Sequence, residues 1–70
     1  MAENFQILLN GEPSELPGDA DIQCLLEREG LAGRRVAVEV NGEIVPRGRH
    51  AGHGLREGDR VEIVHALGGG

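Results

Sequence analysis

Seventy residues with a net charge of −5, one cysteine and one aromatic residue suffice for a single domain around one small core and cannot enclose a deep catalytic cleft. A lone cysteine rules out an internal disulfide and points to a reducing, cytoplasmic setting, and the short apolar run near the N-terminus falls far below a signal peptide or a membrane span, so no membrane attachment is expected. An acidic chain whose only aromatic is Phe5 repels phosphate backbones and offers no stacking platform, so no nucleic-acid partner is expected; a basic protein surface is its natural electrostatic complement.

The alternation of Phe5, Ile7 and Leu9 with Gln6 and Leu8 predicts a strand,. Asn10-Gly11 follows as a two-residue hairpin signal, so a second strand is expected over about Glu12 to Leu16,. Pro17-Gly18 breaks the pattern. Asp19 and Asp21 then offer side-chain oxygens to the free amides of a helix beginning near Ile22. Ile22, Leu25 and Leu26 fall on one helical face, Gly30 stops the helix and Leu31 folds back behind it,.

Val36, Val38 and Val40 alternate up to a second Asn-Gly pair, Asn41-Gly42, and Ile44-Val45 forms a return strand cut short by Pro46, which cannot donate to a ladder,. RGRHAGHG, residues 47–54, shows no period and reads as a loop with room for one helical turn. Leu55 returns to the core, Glu57-Gly58-Asp59 turns the chain, and Val61 to Val64 form the last strand,. Hairpin, helix, hairpin, loop and strand make an α+β domain, with one helix laid across one face of a small mixed sheet of four or five strands. If Val61 and Ile63 face the helix, then Glu62, Val64 and Ala66 face outward by the period of two.

Several polar groups invite a chemical reading. Cys24 lies in the first helical turn beside Asp19 and Asp21, whose charge opposes thiolate formation, so it reads as an incidental cysteine on the solvent side or flank of the helix. His50 and His53 stand three apart in a glycine-flanked loop, with His65 far off in sequence; they read as surface histidines rather than a zinc site,. Glu12, Glu15, Asp19 and Asp21 sit at a turn, a break and a helix start and read as structural. Arg47 and Arg49 read as surface cations. No nucleophile, base and oxyanion set converges, so the chain is not expected to be an enzyme, and no bound cofactor or metal is expected.

The chain stops at HALGGG. The opening strand and turn FQILLNGE, the helix segment DIQCLLE, the hairpin VAVEVNGEIVPR and the ending EGDRVEIVHALGGG together resemble the ThiS family, the sulfur carriers of thiamin biosynthesis, over nearly the whole length. That resemblance implies a ubiquitin-like β-grasp domain over residues 1–67 and a flexible glycine tail over residues 68–70. It implies a carrier whose C-terminal carboxylate is adenylated by a partner of the ubiquitin-activating type, converted to a thiocarboxylate, and presented to thiazole synthase. Gly70 is then the reacting residue and Gly69 its partner, with Gly68 as spacer. The sulfur source would be a donor such as a cysteine desulfurase. The small subunit of molybdopterin synthase, or another ubiquitin-like carrier or modifier, is the alternative; the bulky aromatics and prolines expected in the rival's last strand are missing from VEIVHALGGG.

The chemistry explains the tail. A terminal carboxylate is an anion at neutral pH and a poor electrophile. An oxygen must become a good leaving group, yet the chain has no phosphate-binding glycine loop and no lysine, so ATP is expected to be used by the partner,. Three glycines extend by roughly 10 Å at most and carry no side chain to clash in a narrow channel. Val64, His65, Ala66, Leu67 and Gly68 are therefore the expected partner interface, with Val64 and Leu67 as apolar anchors; the alternative places Val64 in the core through a bulge.

Overall fold

The structure, a computed structural model, describes residues 3–65. Two hairpins frame it. Strands β1 (Phe5–Leu9) and β2 (Glu12–Leu16) pair antiparallel across Asn10-Gly11, and β3 (Val36–Val40) and β4 (Glu43–Val45) pair antiparallel across Asn41-Gly42. All four turn residues have positive φ, 51° and 86° in the first turn and 52° and 87° in the second. Both central residues of a type I′ turn need such angles, and Asn-Gly is the pair that adopts them at least cost.

Between the hairpins runs helix α1 (Ile22–Arg28). Its start is capped twice over. The Asp21 carboxylate accepts from the Cys24 N–H at 2.8 Å through Oδ1 and from the Gly52 N–H at 2.9 Å through Oδ2. The next free amides go to the loop: Ile22 N–H donates to the His53 carbonyl at 3.1 Å and Gln23 N–H to the His50 carbonyl at 3.3 Å. Every early amide of α1 through Cys24 thus has a partner. The Gly52 and Cys24 amides, in that order, hold the Asp21 carboxyl below its ordinary pKa, against an opposing push from burial,. At the other end Gly30 takes φ 74°, its N–H donates to the Glu27 carbonyl at 3.2 Å, and Leu31 N–H donates to the Leu26 carbonyl at 2.8 Å. This is a Schellman stop, with Leu31 packed against the core as the accompanying hydrophobic contact,.

Strand β5 (Arg60–His65) lies in the middle of a five-stranded sheet of order β2-β1-β5-β3-β4. It runs parallel to β1 and antiparallel to β3. Ile7, Leu16, Val38, Val40, Val45, Val61 and Ile63 from the sheet meet Ile22, Leu25 and Leu26 from α1, with Ala20 and Leu55 closing the ends. One apolar helix stripe on one apolar sheet face is the two-layer solution that this element order calls for, and the arrangement is a β-grasp. Among the described residues no helix is long and apolar enough to cross a membrane.

One detail departs from the sequence reading. The loop after Pro46 contains a 3₁₀ turn, Arg47–Arg49, as its allowance for one helical turn foresaw, but His50 is buried rather than on the surface. Its Nε2 lies 3.0 Å from the Val45 carbonyl; an oxygen that only accepts requires the proton on that nitrogen. The loop curls under α1 to deliver its carbonyls to the helix start, and His50 is carried inward with it. Cys24 is partly buried on the flank of the core, as its helical position implies.

Candidate functional site

The end of β5 is where the sequence places the working surface. Val61 and Ile63 point into the core while Glu62 and Val64 point out, so the strand keeps a plain period of two and no bulge takes Val64 inward. Val64 is 53% exposed, a large apolar side chain left on the open face of the sheet. His65 follows, exposed and paired with Val36 at the last rung of the β3 ladder. Ala66, Leu67, Gly68, Gly69 and Gly70 lie outside the described residues.

Register fixes what surrounds Val64. Ala37 is its cross-strand partner on β3. In the next row Glu62, Glu39 and Ile44 stand side by side across β5, β3 and β4. In the row beyond, Leu8 of β1 is the partner of Arg60. Leu8 and Ile44 are exposed apolar side chains that the sequence reading did not single out. The signal for Ile44 was present: Val45 is buried beside it, so alternation turns Ile44 outward,. The signal for Leu8 was present too: the alternation of Phe5, Ile7 and Leu9 places it on the opposite face of β1,.

Glu39 and Glu62 face each other directly across the β3–β5 pair. Like charges in that position destabilise a sheet. Among the described residues the carboxylates that accept side-chain or backbone hydrogen bonds are Asp21, Glu27, Glu57 and Asp59, and neither of these two glutamates is included. The open face therefore joins an acidic pair to three exposed apolar side chains.

The two asparagines of the hairpin turns also reach β5, which sequence reasoning missed because it treated them only as turn formers. Asn41 Oδ1 accepts from the Arg60 N–H at 3.0 Å, and Asn41 Nδ2 donates to Asp59 Oδ1 at 3.0 Å. Asn10 Oδ1 accepts from the Ile63 N–H at 2.8 Å. No alternation or spacing rule signals such contacts, since they join residues 19 and 53 positions apart.

The other candidates are dispersed. A groove of about 400 Å³ runs along β4 and the following loop, lined among others by Arg49, His53, Arg56 and Asp59, and holds none of the residues expected at the interface. Among the described residues no group of three histidine, cysteine or acidic side chains is arranged to hold a metal ion. Asp19, Asp21, Glu12 and Glu15 do not converge: Asp21 caps α1, while Glu12 and Glu15 lie on the edge strand β2.

Comparison with known proteins follows the same outline. The model of the ThiS family matches residues 7–70. Thiazole synthase of Magnetococcus marinus is 42% identical over 66 residues, and that of Paramagnetospirillum magneticum 38% over 66; each alignment covers 94% of this chain. The chain spans only about a fifth of the length of these relatives, 20% of each. The ycf40 protein of Porphyra purpurea is 31% identical over 68 residues, 97% of this chain and 96% of its own. Among solved structures, the thiamine biosynthesis protein ThiS from Geobacter metallireducens superposes with a TM-score of 0.80 at 32% identity, over 94% of this chain and 100% of that one.

Proposed function

Because the chain belongs to the ThiS family, we propose that it is a sulfur carrier of thiamin biosynthesis, a protein co-substrate rather than a catalyst, with the Gly70 carboxylate as its reacting group. The observation that carries this reading is the reach of the family match, which runs from the first strand through the terminal glycines to residue 70. The exposed end of β5 beside Val64 supports it, since a carrier needs its reactive end free of its own core.

The chemistry proceeds in three steps. In an adenylating, ThiF-like partner, a Gly70 carboxylate oxygen attacks the α-phosphorus of ATP and pyrophosphate leaves, giving an acyl adenylate. In the second step the outer sulfur of a persulfide on a donor such as a cysteine desulfurase attacks the acyl carbon and AMP leaves, and a thiol then reduces the resulting acyl disulfide, forming a disulfide with the donor and freeing the thiocarboxylate. Thiazole synthase takes that sulfur, and an oxygen from the acceptor or from water replaces it to restore the carboxylate. This chain contributes a handle and an extensible end; the partner contributes the ATP site. Glycines at positions 68–70 suit an end that must enter two different enzymes, because without a β-carbon they accept nearly every backbone angle. Val64, His65 and the following Ala66 and Leu67 are assigned to docking, and the Glu39–Glu62 pair suits a partner surface carrying arginine or lysine. The thiazole synthase relatives favour this route over that of molybdopterin synthase.

Co-purification tests the assignment. With the candidate adenylating enzyme and thiazole synthase offered together with a molybdopterin synthase large subunit, the chain is expected to be retained by the first two. Retention by the molybdopterin synthase subunit alone would replace this reading with its rival.

A further inference from the structure

Asn10 does something unusual for a turn residue. In a parallel pair, a residue donates its N–H to the carbonyl one place before its partner and accepts, through its own carbonyl, from the N–H one place after. Leu8, the partner of Arg60, follows the donor half of this rule by donating to the Asp59 carbonyl at 2.9 Å. Two residues on, Asn10 stands opposite Glu62 and donates its N–H to the Val61 carbonyl at 2.8 Å. At φ 51°, however, its backbone has turned out of the ladder into the hairpin. The missing acceptor is replaced by the side chain: Asn10 Oδ1 receives the Ile63 N–H at 2.8 Å. The amide side chain thus completes one more rung of the β1–β5 ladder after the strand itself has ended.

That rung is the last on its side. The strand pairing between β1 and β5 ends at Leu9 and Val61, whereas β3 accompanies β5 as far as His65. Past Ile63, Val64 and His65 are held by β3 on one edge and, among the described residues, by no strand on the other. We propose that Asn10 is a positioning residue for the carrier reaction: its side-chain oxygen anchors β5 at Ile63 on the edge that β1 has vacated, two residues before the β3 ladder ends at His65, and so steadies the strand end that leads to Gly70. This rests on the sulfur-carrier reading above. The physical effect is one of effective concentration. A strand end tied on both edges wanders less, so a docked carrier presents its carboxylate to the partner's ATP more often.

Asn41 is the internal control. It occupies the same turn position at φ 52° and gives a side-chain oxygen to the Arg60 N–H, but at the start of β5, remote from its end. Asn10→Gly and Asn41→Gly keep the positive φ and each take one side-chain oxygen from a β5 N–H, Asn41→Gly losing the bond to Asp59 as well, while Asn10→Asp keeps the acceptor. With the adenylating enzyme and ATP, Asn10→Gly is expected to lower kcat for adenylation about three- to tenfold, the worth of one hydrogen bond, with KM unchanged. Asn10→Asp is expected to restore kcat, and Asn41→Gly to leave it at the wild-type value despite a comparable loss of stability. In the protein alone, amide exchange at Ile63 is expected to accelerate in Asn10→Gly and to return to the wild-type rate in Asn10→Asp.

Equal kcat in Asn10→Gly and wild type would overturn the proposal, as would an equal fall in Asn41→Gly, or Ile63 exchange that does not respond to Asn10. If the wild-type chain is not adenylated at all, the sulfur-carrier reading fails, and the positioning role fails with it; the exchange data then report the rung alone.

Discussion

A single carboxylate, Asp21, joins two parts of the chain 31 residues apart by holding Cys24 and Gly52 amides at once. Its capping role was legible, because aspartate one place before an apolar helical stripe is an N-cap signal. Its grip on Gly52 was not, since nothing local links residue 21 to the loop. Asp21→Ala is expected to cost about 0.5–2 kcal/mol in denaturant unfolding, the usual worth of a cap. The pH dependence has a definite sign. Asp21 has a lowered pKa in the folded chain, so the unfolded chain binds the proton more readily; the stabilisation is present above the unfolded value near 4 and is lost as pH falls through the folded one. Asp21→Asn should therefore flatten the acid limb of a stability–pH curve below about pH 4. His50 is the opposite case. RHAGHG has no hydrophobic period, and the partner that permits its burial is a backbone carbonyl, which no side-chain pattern announces.

At the scale of elements, the turns were the most readable parts. Asn-Gly specifies a type I′ connection, and a two-residue loop leaves the flanking strands one antiparallel register. The parallel placement of β5 beside β1 could not be read this way, because 50 residues separate Leu9 from Arg60 in sequence and no local signal encodes a long-range pairing; it comes from burying Val61 and Ile63 with Ile7 and Val38 under α1. The same register produces the facing Glu39 and Glu62. Removing one of the charges should relieve the repulsion, so Glu62→Gln is expected to stabilise the fold by about 0.2–1 kcal/mol in urea unfolding. A decrease in stability would mean that the pair supports the sheet instead.

For the whole molecule, small size sets the terms. A domain of this length has a stability of about 3–10 kcal/mol, while truncating a fully buried leucine costs about 2–5 kcal/mol. Leu25, with 0% exposure in the centre of the α1 stripe, is such a residue. Leu25→Ala is expected to leave much of the chain unfolded at physiological temperature, visible as loss of the cooperative thermal transition. The fold class was legible because element order, two hairpin turns and one amphipathic helix leave few two-layer arrangements. The open face of the sheet was legible only in part: Val64 follows from period two, but Leu8, Ile44 and the glutamate pair join it there through sheet order, a tertiary property.

The central claim is that the Gly70 carboxylate is the group that reacts. The most direct test incubates the chain and a variant lacking Gly70 with the adenylating enzyme and magnesium ATP, then measures intact mass and locates any added mass by fragmentation. The full chain is expected to gain one adenylyl group on its C-terminal peptide, to exchange it for sulfur when a donor is added, and the shortened chain to gain neither. An adduct that survives deletion of Gly70, or one located elsewhere in the chain, would contradict the account.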